Sequence, residues 1–185
     1  MLHGTKNTLI LPKYSSIKEH EGKGNWALWK YYVPPFSFFY QKKLKMILDL
    51  MDPNHTYHNI LDFGSGPGIF TPSLKKKAIF VVSKDKNDHI SEKWYFSAIV
   101  CASVLEFCEL SHTVKLLRSI TKPQGRLFVA SPMKSRWSSL YFDAIGDKNL
   151  RNSDSAILEA VSKHYIVEEY KEWRGLYFAL RARPK

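Results

Sequence analysis

Ile60-Leu61-Asp62-Phe63-Gly64-Ser65-Gly66-Pro67-Gly68 runs a short apolar strand straight into a glycine-rich turn that opens a helix. Glycine permits tight turns with positive φ and lets a ligand approach the backbone. A dinucleotide-binding loop needs G-x-G-x-x-G, but counting from Gly64 the last position falls on Ile69. A phosphate-binding P-loop needs Gly-Lys-Ser/Thr, and no lysine stands in this turn. What remains is G-x-G-x-G preceded by an acidic strand residue, Asp62.

Working outward, strand and helix signals alternate. Asn59 to Phe63, Ala78 to Val82, Phe96 to Ala102 and Arg126 to Ala130 read as strands. A helix is expected over residues 67–76, weakened by Pro72. Another should be capped by Ser111 and carry Val114, Leu117 and Ile120 on one face. Lys122-Pro123-Gln124-Gly125 is expected to turn. Trp137 to Ile145 fits a helix stopped by Gly146, and Ile157, Leu158 and Val161 fit one ending near His164. Ile166–Tyr170 and Leu176–Ala182 can close the sheet as an antiparallel pair. Upstream, Tyr40, Leu44, Ile47, Leu48 and Met51 recur at helical spacing, with Lys42, Lys43 and Lys45 off that face and Asp52-Pro53 as the stop. The predicted fold is therefore α/β, a mostly parallel sheet with helices on both faces and its ligand site beyond the carboxyl ends of the strands.

The bulk properties agree with one domain. The chain has 185 residues, enough for a single core. Residues 1–25 are polar and read as a loose arm; residues 26–185 form the domain. Within it, 26–53 begin with aromatics crowded around Pro34-Pro35, a helical segment read as a lid, as packing on the sheet or an interface, or as a membrane-surface patch. The formal net charge of +11 attracts anions, whether nucleic acid, a membrane surface or an anionic substrate, although the scattered basic residues also fit a solvated surface. Cys101 and Cys108, seven positions apart, make neither a disulfide framework nor a zinc site, so a reducing, cytoplasmic setting is expected. No signal peptide and no membrane span is read, and the oligomeric state is left open.

The loop and its context resemble the class I S-adenosylmethionine-dependent methyltransferases. Two further segments carry the likeness: Tyr95 to Glu106, similar to that family's fourth strand, and Thr121 to Val129, similar to the turn and strand that follow. The resemblance spans roughly residues 40–182. It implies S-adenosylmethionine as cofactor, with Asp62, Gly64, Ser65, Gly66 and Gly68 around its amino-acid end. Asp85, 23 positions after Asp62, would hold the ribose hydroxyls, with Asp88 as fallback. Ser103 and Val104 would lie beside the transferred methyl, and Tyr40 would close over the cofactor with Tyr31 and Tyr32.

Three departures from that pattern bear on function. Residues 86–95 are too few for a parallel crossover, so the sheet should lack one strand–helix unit after the second strand. Ser97 and Phe107 stand where relatives often carry Asp and His. Methyl transfer from a sulfonium needs alignment more than base strength, so no catalytic residue is assigned. His112, Glu106, His20 and Tyr14 are the candidate bases. The expected activity is methyl transfer to a small-molecule or lipid-type acceptor. The alternatives are an RNA- or protein-modifying enzyme, or a non-catalytic relative that binds a partner.

Overall fold

The computed structural model describes residues 7–20, 28–91, 93–136, 138–139 and 152–185. The expected helix from Trp137 to Ile145 falls largely outside them.

Among the described residues six strands form one sheet: β1 (Tyr57–Phe63), β2 (Ala78–Lys84), β3 (Phe96–Ala102), β4 (Thr121–Pro132), β5 (Tyr165–Trp173) and β6 (Tyr177–Pro184). Their order is β2-β1-β3-β4-β6-β5. The first four run parallel, while β6 is antiparallel to both β4 and β5. The central strands are apolar on both sides; Ile60, Leu61, Ala98, Ile99, Leu127 and Phe128 are all fully buried.

Helices cover both faces. On one side α2 (Phe36–Leu50) and α3 (Thr71–Lys75) enclose Ile60, Ala98, Val100 and Phe128. On the other, α4 (Leu110–Ile120) and α5 (Asp154–His164) enclose Leu61, Ile99, Leu127 and Leu180. The expected omission is present: no strand lies between β2 and β3 among the described residues, and β2 is an edge.

Several elements depart from expectation. The helix after the glycine loop is only α3, because positive φ at Gly64, Gly66 and Gly68 is incompatible with helix. Pro72 sits in its first turn, where a missing N–H costs nothing. The cap of α4 is Glu109, whose carboxylate accepts from the amides of Ser111 and His112 at 3.0 and 2.8 Å; Ser111 lies one step inside. Lys122–Gly125 belong to β4 as a bulge, since the register jumps from Phe96↔Thr121 to Ala98↔Arg126.

Residues 7–20 of the arm are not loose. They include a short helix, α1 (Tyr14–Ile17), and Ile17 is buried. Asn7 donates to the carbonyls of Leu48 and Met51, and Ile10 exchanges hydrogen bonds with Ser73. Apolar residues at alternating positions of the arm, Leu9 and Leu11, pack on the core beneath α2.

Candidate functional site

The site forms where β1 ends. Gly64, Gly66 and Gly68 take φ of +75°, +51° and +77°. The amides of Gly64 and Ser65 both donate to the Lys84 carbonyl, at 2.7 and 3.2 Å, and tie the loop to the end of β2. The Gly68 amide turns inward to the Ser65 carbonyl at 2.9 Å. Among the described residues this leaves the Gly66 amide and the Ser65 hydroxyl without a protein partner. Both border an open cleft of about 530 Å³ lined by Ser65, Gly66, Gly68, Thr71, Ser83 and His20.

Gly64 has a separate role. A Cβ there would lie 2.3 Å from Val104 Cγ2, so the loop reaches its position only because residue 64 has no side chain. Val104, 4% exposed, buttresses the loop from the end of β3. Ser103 before it takes a left-handed φ of +57°, and its amide donates to the Ala130 carbonyl. The chain thus turns sharply at the carboxyl end of β3, beside the loop.

Asp62 lies behind the loop, 2% exposed, and accepts a hydrogen bond from the Thr71 hydroxyl at 2.8 Å. Burial pushes its carboxyl up to about 6, against the opposing pull of that bond. Its contact ties β1 to α3 across the loop. Asp85 follows β2 directly and is half-buried. The register Phe63↔Lys84 sets it beside Gly64. One oxygen of Asp85 accepts from the Lys86 amide, and its own amide donates to Asp88 Oδ2 at 2.8 Å. Asp88 is therefore employed in shaping the turn that presents Asp85.

A second group of residues meets at the ends of β3 and β4. Glu106 is 1% exposed and accepts from the Ser131 hydroxyl at 2.9 Å. Burial drives its carboxyl up to about 7; the partly compensating influences are its own backbone amide, the charge of Lys43, and the Ser131 and Ser103 hydroxyls. The Ser103 hydroxyl faces the carboxylate outside hydrogen-bond geometry. Lys43, expected off the buried face of α2, is 6% exposed, with its ammonium 5.5 and 5.2 Å from the ring centres of Tyr31 and Tyr40. Tyr40 is buried, edge-on to Tyr31 at 5.2 Å, and Tyr32 donates to the Pro12 carbonyl. These tyrosines are held in packing between the arm, α2 and the sheet, and none lines the cleft.

The structure sorts the candidate bases. His20 borders the cleft, Glu106 is buried and does not line it, His112 is exposed at the start of α4, and Tyr14 packs against Tyr32. Ser97, which stands where relatives often carry Asp, lies at the amino end of β3. There its hydroxyl donates to the Asn59 carbonyl at 2.7 Å and accepts from the Asn59 amide at 3.0 Å, joining β1 to β3. Phe107 lies under the Lys86 ammonium, 5.6 Å from the ring centre. Sequence reading missed Thr71 and Ser131, because nothing local marks a hydroxyl whose carboxylate partner is nine or 25 positions away.

Solved structures share this fold. The N-methyltransferase NodS from Bradyrhizobium japonicum WM9, solved with S-adenosyl-L-homocysteine, superposes with a TM-score of 0.63 at 14% identity, over 92% of this chain and 97% of NodS. The chain has the class I methyltransferase fold. An S-adenosylmethionine-dependent methyltransferase from Mesorhizobium loti matches this methyltransferase-fold chain at a TM-score of 0.58 and 10% identity, over 74% of this chain and 95% of its own. One from Thermotoga maritima matches at 0.57 and 14%, over 86% and 99%. No family model and no curated protein matches the sequence. No described helix is long and apolar enough to cross a membrane, and the described residues hold no group of metal-ligating side chains.

Proposed function

We propose that this chain binds S-adenosylmethionine at the glycine-loop cleft and transfers its methyl group to a small-molecule or lipid-type acceptor. The observation that carries the reading is the loop itself. Three left-handed glycines end a central parallel strand, and an unpartnered amide and hydroxyl are turned into an open cleft.

The residues present fit that cofactor. The Gly66 amide and Ser65 hydroxyl are donors suited to the carboxylate of its amino-acid end. The outer oxygen of Asp85 is an acceptor suited to ribose hydroxyls. Asp62 acts through Thr71 as a positioning residue, and Ser103 and Val104 shape the wall beside the loop. Tyr40, packed against Tyr31, stands outside the cleft. When bound, the cofactor supplies an electrophilic methyl on a good leaving group, so the protein's part is to align the acceptor and exclude water. No strong base is needed for an acceptor that is already nucleophilic; among the described residues His20 and Lys75 are the titratable side chains lining the cleft.

A second reading is a non-catalytic relative. The missing strand–helix unit favours it, because beyond β2 nothing among the described residues walls the cleft. Calorimetry with S-adenosylmethionine and S-adenosylhomocysteine separates the two. Micromolar binding that Asp85→Ala weakens by about 10- to 100-fold, the worth of hydrogen bonds to a charged group, supports the cofactor site. Absence of binding to both compounds transfers the case to the non-catalytic reading.

A further inference from the structure

The two edges of the sheet are built differently. At one end, β5 carries Glu168, Glu169, Lys171 and Glu172, with a register irregularity between Val167 and Glu169. Charges and bulges are the usual guards against unwanted strand pairing. At the other end, β2 reads Ala78-Ile79-Phe80-Val81-Val82-Ser83-Lys84 and pairs with β1 without a bulge. It has no proline and no charge before its last residue.

Ile79 and Phe80 are 62% and 60% exposed, although the strands inside them are almost wholly buried. Trp94 and Tyr95, just before β3, are exposed as well. The cause is the missing strand–helix unit, which leaves one side of β2 with its backbone N–H and C=O groups unpaired over about 23 Å. A chain that guards one edge and leaves the other regular and apolar has an edge suited to pairing.

We propose that β2 is the interface of a homodimer, in which the β2 strands of two copies pair antiparallel across a two-fold axis and join the sheets. The flanking charges select this arrangement. Lys75 and Lys76 precede the strand, followed by a buried Lys77 held on the Asp52 and Pro53 carbonyls, whereas its other end carries Lys84, Asp85, Lys86 and Asp88, a segment of no net charge. Antiparallel pairing sets the lysines of one copy against that neutral, aspartate-containing segment of the other. Parallel pairing would set lysine cluster against lysine cluster. A two-fold axis also closes the assembly and leaves both guarded β5 edges outermost.

The test is sedimentation velocity on the full chain over two decades of concentration. It compares wild type, Phe80→Lys, Ile79→Lys and, as control at the opposite edge, Ile166→Lys. The exposure of Ile79 and Phe80 means that neither substitution removes core packing; melting temperatures verify that each variant is folded. Wild type and Ile166→Lys are expected to dimerise. Phe80→Lys and Ile79→Lys should weaken association by on the order of a hundredfold, since each substitution enters the interface twice. Hydrogen exchange of the residue 78–84 amides should slow with concentration in wild type only. A monomeric wild type throughout overturns the proposal and leaves β2 to a different protein or to nucleic acid. A dimer insensitive to Phe80→Lys, or one dissociated by Ile166→Lys, also overturns it.

Discussion

Gly64→Ala tests whether the glycine loop is held as described. Two costs add. Alanine in the left-handed region is strained by about 1–2 kcal/mol. Its Cβ would also lie 2.3 and 2.4 Å from Val104 Cγ2 and Cβ, an overlap that must be relieved by moving the loop or β3. Overpacking of this kind costs about 1–3 kcal/mol. The expected loss is about 2–5 kcal/mol, or roughly 4–20 °C in melting temperature for a domain of this size. Gly68→Ala is the internal control. Its φ is equally left-handed, at +77°, but the nearest atom to a new Cβ is Thr71 Oγ1 at 3.4 Å, so only the strain of about 1–2 kcal/mol applies. Urea denaturation of both variants supplies the comparison. Val104 sharpens it: Val104→Ala leaves the Cβ that overlaps at 2.4 Å and should not rescue Gly64→Ala, whereas Val104→Gly should. In a double-mutant cycle Gly64→Ala with Val104→Gly should couple by about 1–3 kcal/mol. Equal losses for Gly64→Ala and Gly68→Ala, or full rescue by Val104→Ala, would refute the close approach.

Three other outcomes follow from the buried polar groups. Glu106, raised from 4.5 to about 7 by burial, holds its proton more tightly folded than unfolded, so its contribution to stability is lost as pH rises from about 4.5 to 7. Glu106→Gln removes that dependence, and its melting temperature should gain on wild type across this range and level off above it; a constant difference would contradict the burial argument. Thr71→Val withdraws the hydroxyl from Asp62 and should push that carboxyl further above 6, so the variant should lose more stability at pH 8 than at pH 5, as pH-dependent urea unfolding would show. Ser97→Ala breaks the paired bonds to Asn59 and should cost about 1–3 kcal/mol while leaving S-adenosylhomocysteine affinity unchanged. A loss of affinity measured by calorimetry would place Ser97 nearer the chemistry than its strand position allows.

The glycine loop was legible because its signal is local: three glycines at alternate positions between a strand and a helix leave little other conformation. Asp85 was singled out by resemblance alone; the register of β1 with β2 sets it beside Gly64. Lys43 was misplaced because helical periodicity describes one buried face, whereas α2 is covered on a second side by Tyr31. The cap of α4 was misread by two residues because Glu109 reaches two amides at once, and a side chain's reach is not a pattern of spacing. Ser97 was read only as standing where relatives often carry Asp; its bonds to Asn59 at the amino end of β3 join two strands that meet only in the folded sheet.

The sequence by itself determined the alternation of strands and helices, the turn after β1 and the absence of one crossover, because each depends on neighbouring residues or on chain length alone. Only the tertiary structure decided which groups around that turn are spent on protein contacts and which remain for a ligand. The Lys84 carbonyl takes two of the loop's amides, Thr71 takes Asp62, Ser131 takes Glu106, and Val104 excludes any side chain at residue 64. Each of these is a contact between segments that meet only when the parallel strands align. Burial then sets the charge state of the two carboxyls through a desolvation that no stretch of sequence contains.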